Sequence, residues 1–191
     1  MKYLKRKIAG ILLAAIMALS MTACSFGGTK PVLTVADKEV ILGETDASVF
    51  DGFQMTLPGG GAATDDLPGM SWMTSFLCLE KGKKEYAYLY VYNPKRQSVR
   101  ANSARIYKVA FTMNGLYSSY WAEDNVLVNG IDFFGMNMDE VKEVMSEYKL
   151  SSEYERLLFY KDGKYSYSFK FTGEGIVDEV EVEMKIDKSY K

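Results

Sequence analysis

The stretch KYSYSFKFTGEGIVDEVEVEMKI, residues 164–186, decides the fold. Two runs of alternating apolar and polar side chains are joined there by Gly173-Glu174-Gly175. The first run places aromatic rings on one face of the chain, and the second places mostly aliphatic side chains on one face: Tyr165, Tyr167, Phe169, Phe171, then Ile176, Val180, Val182, Met184 and Ile186. A period of two predicts antiparallel β-strands with one apolar and one polar face. The apolar face of such a sheet must be covered by a second layer.

The segment before these strands predicts a helix that can form this layer. Asn137 is a favourable N-cap, and Glu140, three residues later, can complete a capping box. Apolar side chains recur at helical spacing and form one stripe: Met138, Val141, Met145 and Tyr148. We therefore predict a helix over 138–148 that packs on the apolar face of the sheet.

The first half of the chain has a similar order of elements. Residues 32–42 predict a short hairpin, and residues 45–51 predict a brief helix that begins at Thr45. Three strands are predicted after it, between Trp72 and Met113. We predict an α+β fold of two tandem units, each a strand and a helix followed by an antiparallel three-stranded meander, with the helices packed on one face of the sheets.

The predicted organisation has five parts. They are a signal peptide over 1–23, a tether over 24–31, a first α+β repeat over 32–115, a linker loop over 116–125 and a second α+β repeat over 126–191. The signal peptide is indicated by four basic residues before an uncharged apolar run of 14 residues, Ile8–Met21. That run is shorter than the ~20 residues of a transmembrane helix.

The end of the apolar run, Met21-Thr22-Ala23-Cys24, resembles the lipobox of bacterial lipoproteins. The resemblance implies cleavage after Ala23 and a diacylglyceryl group on the thiol of Cys24. It also implies a chain held at the cell membrane by lipid and facing outside the cytoplasm. The alternative is an ordinary signal peptide cleaved near Ala23, in which Cys24 has no special role.

The charge of the mature chain predicts its partners in part. Without residues 1–23 the chain carries 19 Lys+Arg and 25 Asp+Glu, a net charge of −6. Such a chain is repelled by nucleic-acid phosphates and by anionic lipid headgroups. We therefore expect no nucleic-acid partner, and we expect the lipid rather than the net charge to anchor the protein.

The segment Gly130–Val141, GIDFFGMNMDEV, resembles the signature that opens the repeats of beta-lactamase-inhibitory-protein-like and SmpA/OmlA-type lipoproteins. Those families are α+β modules that bind other proteins at the cell envelope. The resemblance covers residues 126–187, and it extends to the first half only by analogy. It implies a helix start and a protein-binding function rather than an active site.

Composition excludes several kinds of catalytic site. The chain has no histidine and two cysteines, which excludes Ser-His-Asp and Cys-His catalysis and histidine-based metal centres. Cys78, in an apolar run, is predicted to be a buried and unreactive thiol. Other carboxylates are predicted to be solvated or exposed on a strand: Asp65, Asp66, Glu174, Asp178, Glu179, Glu181 and Glu183. We expect no enzymatic activity, no cofactor and no metal site.

Residues 85–92, EYAYLYVY, carry a tyrosine at every second position: Tyr86, Tyr88, Tyr90 and Tyr92. The intervening Ala87, Leu89 and Val91 are predicted to face the core, which turns the tyrosines to the opposite face. A face paved with tyrosine suits protein or glycan binding because few torsions are ordered per ring. The alternative is that these rings cover the edge of the core or fill a two-sided interior.

The predicted linker holds a second aromatic cluster, Tyr117, Tyr120 and Trp121. Loops expose their side chains, so these rings are candidate binding residues. The alternative is a plug that folds back between the repeats. The sequence thus predicts a non-enzymatic, lipid-anchored envelope protein that binds a protein or peptide, or alternatively an extracellular carbohydrate- or small-solute-binding module.

Overall fold

The chain is described here from a computed structural model, which covers residues 28–58, 63, 65–82, 84–113, 126–187 and 189–190. About 51% of these residues lie in strands and 10% in helical segments. The predicted α+β fold with helices packed on the sheets is therefore wrong, since the described chain is mainly β and consists largely of antiparallel sheets.

The described elements follow one another in the order of their numbers. The strands of the first part are β1 (Val32–Val35), β2 (Lys38–Ile41), β3 (Gln54–Thr56), β4 (Asp66–Leu67), β5 (Ser71–Trp72), β6 (Leu77–Lys81), β7 (Lys84–Asn93), β8 (Val99–Arg100) and β9 (Arg105–Thr112). The later elements are β10 (Val126–Val128), the helix α1 (Met138–Val144), β11 (Lys149–Tyr154), β12 (Leu157–Asp162), β13 (Tyr165–Phe171) and β14 (Val177–Met184). Two 3₁₀ segments, Ala47–Phe50 and Ala101–Ser103, lie among the early strands.

Most strands belong to one nine-stranded antiparallel sheet. Its order is β11-β12-β13-β14-β9-β7-β6-β3, and β5 pairs with β7 beside this path. A second sheet has the order β10-β1-β2, and β4 pairs with β8 in a small ribbon. The alternation predicted for residues 165–171 and 180–184 is present, since Tyr165, Tyr167 and Phe169 are buried while Ser166 and Ser168 are partly exposed. At the start of β14 the prediction is wrong, because the register shifts there and Val177 rather than Ile176 is fully buried.

A second sheet, together with one short helix rather than a pair of helices, contributes to the cover of the apolar face. Leu33, Val35 and Val40 of β1 and β2 are fully buried in the same hydrophobic cluster as the inward side chains of the large sheet. Strand alternation shows that an apolar face needs a cover, but it does not distinguish a covering helix from a covering sheet. The predicted layer of helices is wrong for this reason.

The brief helix predicted over 45–51 is a single 3₁₀ turn, Ala47–Phe50. Its N-cap residue Asp46 makes no side-chain capping hydrogen bond, and four residues are too few to propagate an α-helix. The predicted helix over 138–148 is present as α1 but ends at Val144. Val141 and Met145 join the core, so this short helix adds to the cover that the second sheet provides.

The two halves of the chain make matching hydrogen bonds at equivalent places. In the first half, the N–H of Gly43 donates to Ile106 O (2.7 Å), and the N–H of Ile106 donates to Thr45 O (3.0 Å). In the second half, the N–H of Gly135 donates to Val177 O (3.3 Å), and the N–H of Val177 donates to Met136 O (2.8 Å). Both glycines have positive φ, +82° and +77°. The strands β9 and β14 are thus equivalent, and they pair with each other at the centre of the large sheet.

Among the described residues, no helix combines the length and the apolar character that crossing a bilayer requires.

Candidate functional site

The nine-stranded sheet has an inner face in the core and an opposite face, which we call the outer face. On β7, Ala87, Leu89 and Val91 are fully buried in the core, as the sequence predicted. Register then places a row of mostly polar side chains on the outer face of the three central strands: Tyr88, Tyr90, Lys108, Ala110, Thr112, Glu179, Glu181 and Glu183. The outer face therefore runs across the junction of the two halves.

The four tyrosines of β7 have different environments. Tyr88 and Tyr92 are buried, whereas Tyr86 and Tyr90 are half-buried. The hydroxyl of Tyr88 donates to the carboxylate of the buried Glu85 (2.7 Å), and that of Tyr92 donates to the carbonyl of Gly43 (3.3 Å). Of these four rings, Tyr90 is the one that is both on the outer face and partly accessible.

Tyr86 is separated from the other three tyrosines by an irregularity in the pairing of β6 with β7. The register shifts between Leu79 and Glu80, so that Glu80 opposes Glu85 and Tyr86 is left without a partner. Its ring packs edge-on against Phe53, with the centroids 5.3 Å apart. Tyr86 therefore contacts the region near β3 rather than the outer face.

An aromatic cluster extends from Tyr90 in two directions. On one side Phe76 contacts Tyr88 and Tyr90, with ring centroids 4.7 and 6.0 Å apart. On the other side Tyr107 lies 6.2 Å from Tyr90 and 6.1 Å from Trp72. Trp72 is 41% exposed, so it presents a large ring to solvent at the rim of the cluster.

Trp72 and Tyr107 are not among the candidate site residues that the sequence predicts. The sequence predicts that Trp72 begins an apolar strand, but β5 ends at Trp72 and β6 begins only at Leu77. Tyr107 reaches the cluster because the register shifts between Tyr90 and Val91, which leaves Tyr107 as the extra residue of a bulge. A bulge of this kind leaves no clear signal in the sequence.

Charged side chains lie beside the aromatic cluster. The ammonium group of Lys108 lies 2.7 Å from a carboxylate oxygen of Glu181, 4.0 Å from one of Glu183 and 4.5 Å from the ring centroid of Tyr90. Lys170 pairs with Glu179 at 3.2 Å. Of the glutamates predicted to be exposed on a strand, Glu181 is thus in a partly buried ion pair with Lys108, whereas the pair of Glu179 with Lys170 is largely exposed.

Burial raises the pKa of two side chains at the groove, Glu181 and Tyr90. Loss of solvent raises the pKa of Glu181, and the ammonium of Lys108 opposes this effect. Burial also raises the pKa of Tyr90, with Lys108 again acting in the opposite direction. At neutral pH the tyrosine is a neutral hydroxyl, able to donate and accept hydrogen bonds.

A groove of about 280 Å³ lies over this part of the outer face. Its lining combines rings with ion pairs and includes Phe76, Tyr90, Lys170, Asp178, Glu179 and Glu181. Carboxylates outnumber ammonium groups in this lining. One oxygen of Asp178 is buried and has no hydrogen-bond partner in the described part of the chain. The groove can therefore accept an apolar side chain together with a cationic or hydrogen-donating group.

Cys78 lies near two carboxylates, yet its environment makes the thiol unreactive. Burial, followed by the charges of Glu85 and Glu80, raises the pKa of Cys78 far above its ordinary value. The donor atoms of these three residues lie within 4.8 Å of one another. A thiol must lose its proton before it can attack or bind a metal, and this environment opposes that loss.

Several predicted site residues lie outside the described residues. These are Ala23 and Cys24 at the predicted processing site and Tyr117, Tyr120 and Trp121 in the predicted linker. Of the predicted binding residues, the structure therefore describes the four tyrosines of β7, and it places Tyr88, Tyr90 and Tyr92 in one aromatic cluster.

Comparison of the chain with models of protein families, with curated proteins and with solved structures found no match.

Proposed function

We propose that this protein is a lipid-anchored envelope protein that binds a protein or peptide through the outer face of its large sheet. The observation that carries the proposal is the groove at the junction of β7, β9 and β14, where a half-buried tyrosine lies beside a partly buried ion pair, Lys108 with Glu181. The predicted signal peptide and the lipobox at Cys24 support the location.

The chemistry of the groove favours a peptide segment with apolar and basic side chains. Rings of Phe76 and Tyr90 supply contact area at a small entropic cost. The excess of carboxylates, among them Asp178 and Glu179, suits a lysine or arginine of the partner. Tyrosine is among the residues that contribute most to protein–protein binding, so Tyr90 is the expected centre of the interface.

A non-enzymatic role is supported by what the groove offers chemically. The chain has no histidine, and the thiol of Cys78 is kept protonated in the core. Two carboxylates that line the groove are held in ion pairs, Glu181 with Lys108 and Glu179 with Lys170. These pairs suit recognition of charge more than proton transfer.

Substitution at the centre of the groove tests the proposal. We expect Tyr90→Ala and Glu179→Lys each to weaken capture of the partner at least tenfold, as for residues that contribute more than about 1.4 kcal/mol to binding. Capture is measured by cross-linking at the cell envelope, with the partner then purified for titration.

Tyr154→Ala is the matched control, because Tyr154 is 60% exposed and lies on β11 at the far edge of the same sheet. We expect it to leave capture unchanged. Circular dichroism confirms that each variant is folded. Equal binding by the Tyr90→Ala, Glu179→Lys and Tyr154→Ala variants would show that the groove is not the binding site.

Trp72 favours a second candidate, a carbohydrate ligand. Its exposed ring, packed edge-on against Tyr107, could stack on a sugar. A glycan at a hundredfold excess over its Kd would stabilise the fold by about 2.7 kcal/mol. Thermal unfolding with cell-wall fragments measures this effect, and Trp72→Ala should abolish it if a sugar binds there.

A further inference from the structure

The residues that follow the proposed lipid site are docked on the β12–β13 hairpin. The N–H of Thr29 donates to the carboxylate of Asp162 (2.7 Å), and Lys30 forms an ion pair with Glu44. Gly28 has a φ of +75°, and a side chain there would collide with the backbone carbonyl of Asp162. This close approach requires glycine. Gly28 and Thr29 therefore have a defined position on the hairpin, which we call the seat of Gly28.

The length of the intervening chain limits how far the hairpin can lie from the lipid. Four peptide units join Cys24 to Gly28, and in any conformation they span at most about 14 Å. A lipid on Cys24 is inserted in the bilayer, so its Cα stays at the membrane surface. The end of the sheet that carries Asp162 is then held close to the headgroups.

The same end of the sheet carries four exposed lysines, Lys149, Lys161, Lys164 and Lys185. Lys149 is directly opposite Lys161 in the register of β11 and β12, and the N–H of Lys185 donates to the carbonyl of Lys164 (2.8 Å). None of the four ammonium groups pairs with a carboxylate in the described part of the chain. Like charges directly opposite one another are unfavourable unless an anion lies near them.

The carboxylates near these lysines include Glu44, Glu147, Asp162 and Asp187. Glu44 pairs with Lys30, and Asp162 accepts from the N–H of Thr29. Asp187 accepts from the N–H of Ser189 (2.9 Å), and this bond lowers the pKa of Asp187. Glu147, in the turn before β11, is exposed. A hydrogen bond from a neutral N–H leaves a carboxylate charged, so Asp162, Asp187 and Glu147 balance the four lysines only in part. These side chains keep a small excess of positive charge, although the predicted mature chain is acidic overall.

We propose that this end of the large sheet is a membrane-facing surface that contacts anionic lipid headgroups through Lys149, Lys161, Lys164 and Lys185. The proposal rests on the lipid anchor at Cys24 of the proposed function. A negatively charged leaflet attracts lysines within a Debye length of its surface, and it repels the acidic remainder of the chain. Anchor and charge together then give the protein one orientation on the membrane.

The opposite end of the sheet offers a matched control. The β6–β7 hairpin also carries exposed lysines, Lys81 and Lys84. Three antiparallel pairings separate β7 from β13, so the two strands run in opposite directions and their hairpins point to opposite ends of the sheet. The β6–β7 hairpin thus also carries exposed lysines, but it lies at the end of the sheet opposite to Gly28.

The experiment uses the full-length lipidated chain in vesicles of phosphatidylglycerol and phosphatidylcholine at about 3:7. A fluorescent label is placed at Lys164→Cys or, as the control, at Lys84→Cys, because Cys78 is buried and Cys24 carries the lipid. Energy transfer to acceptors on the headgroups is the readout. We expect transfer at least threefold more efficient from the label at 164 than from the label at 84.

Charge reversal separates the lysines from the tether. With the label at 164, we expect the double variant Lys161→Glu/Lys185→Glu to reduce the energy transfer. We expect 0.5 M salt to reduce it as well, because salt shortens the Debye length to about 4 Å. The matched variant, Lys81→Glu/Lys84→Glu, should leave it unchanged. No change in Lys161→Glu/Lys185→Glu would overturn the role given to the lysines.

The outcomes distinguish this inference from the proposed function. The mass of the mature chain shows whether Cys24 carries lipid, and an unmodified thiol would overturn both the anchor and the orientation. Equal transfer from labels at 164 and 84 in a lipidated chain would overturn the orientation alone. Binding of a peptide at the Tyr90 groove is measured separately and is unaffected by either result.

Discussion

The partly buried carboxylate of Asp178 makes the groove polar but destabilises the folded protein at neutral pH. Burial raises the pKa of this carboxyl, with Lys170 opposing the effect. Because the folded pKa lies above the unfolded pKa, the folded chain binds the extra proton between the two values. Its contribution to stability therefore falls as pH rises through this window, and the full cost is present at pH 7.

We predict that Asp178→Asn stabilises the protein at pH 7 by about 0.5–1 kcal/mol, because a neutral amide costs less to bury than a carboxylate. The gain should vanish near pH 3, where the carboxyl is protonated in both states. Urea unfolding at the two pH values measures it. Glu174→Gln, at the exposed turn before β14, is the control and should have no effect at either pH. A gain that is equal at both pH values would contradict the argument.

At the scale of the element, α1 depends on its capping box. The side chain of Asn137 accepts from the N–H groups of Asp139 and Glu140 at 3.0 Å each, and the carboxylate of Glu140 accepts from the N–H of Asn137 at 2.9 Å. We predict that Asn137→Ala costs about 1 kcal/mol, because orphan N–H groups at the helix start lose their acceptor. Chemical denaturation measures the cost.

The equivalent position in the first half is the control for this prediction. Asp46 precedes the 3₁₀ turn Ala47–Phe50 and makes no capping bond, although it lies 3.8 Å from Arg105 in an exposed ion pair. Asp46→Ala should therefore cost less than about 0.5 kcal/mol. If both substitutions cost the same, the capping box does not stabilise α1.

At the scale of the whole molecule, the pairing of β9 with β14 makes one sheet of the two halves. Phe111 is fully buried on β9, opposite Val180 of β14. We predict that Phe111→Ala costs about 3–5 kcal/mol and lowers hydrogen-exchange protection equally in β7 and β13, because both strands depend on the shared core. Tyr154→Ala, at the exposed edge, should lower neither. Loss of protection confined to β7 would mean that the halves unfold independently.

The correspondence between the halves also explains which predictions from sequence were correct and which were not. Both halves place a glycine with positive φ before a helical segment, yet only the second half has the capping residues and the apolar stripe for a true α-helix. Strands with strict alternation, such as residues 165–171, were predictable because burial on one face imposes a period of two. The edge strand β11 was not predicted, since five of its six residues are exposed and carry no alternation.

Patterns within short segments are enough to predict the alternating strands, the capped start of α1, the core face of Ala87, Leu89 and Val91, and the exclusion of histidine chemistry. The tertiary structure decided which layer covers the sheet and which tyrosines stay accessible. It also brought Lys108 to Glu181 and Thr29 to Asp162. These contacts join residues 73 and 133 positions apart in the chain, and they depend on strand order and bulges. Strand order and bulges cannot be deduced from neighbouring side chains. A local pattern indicates that a side chain is buried, but not which residue it packs against.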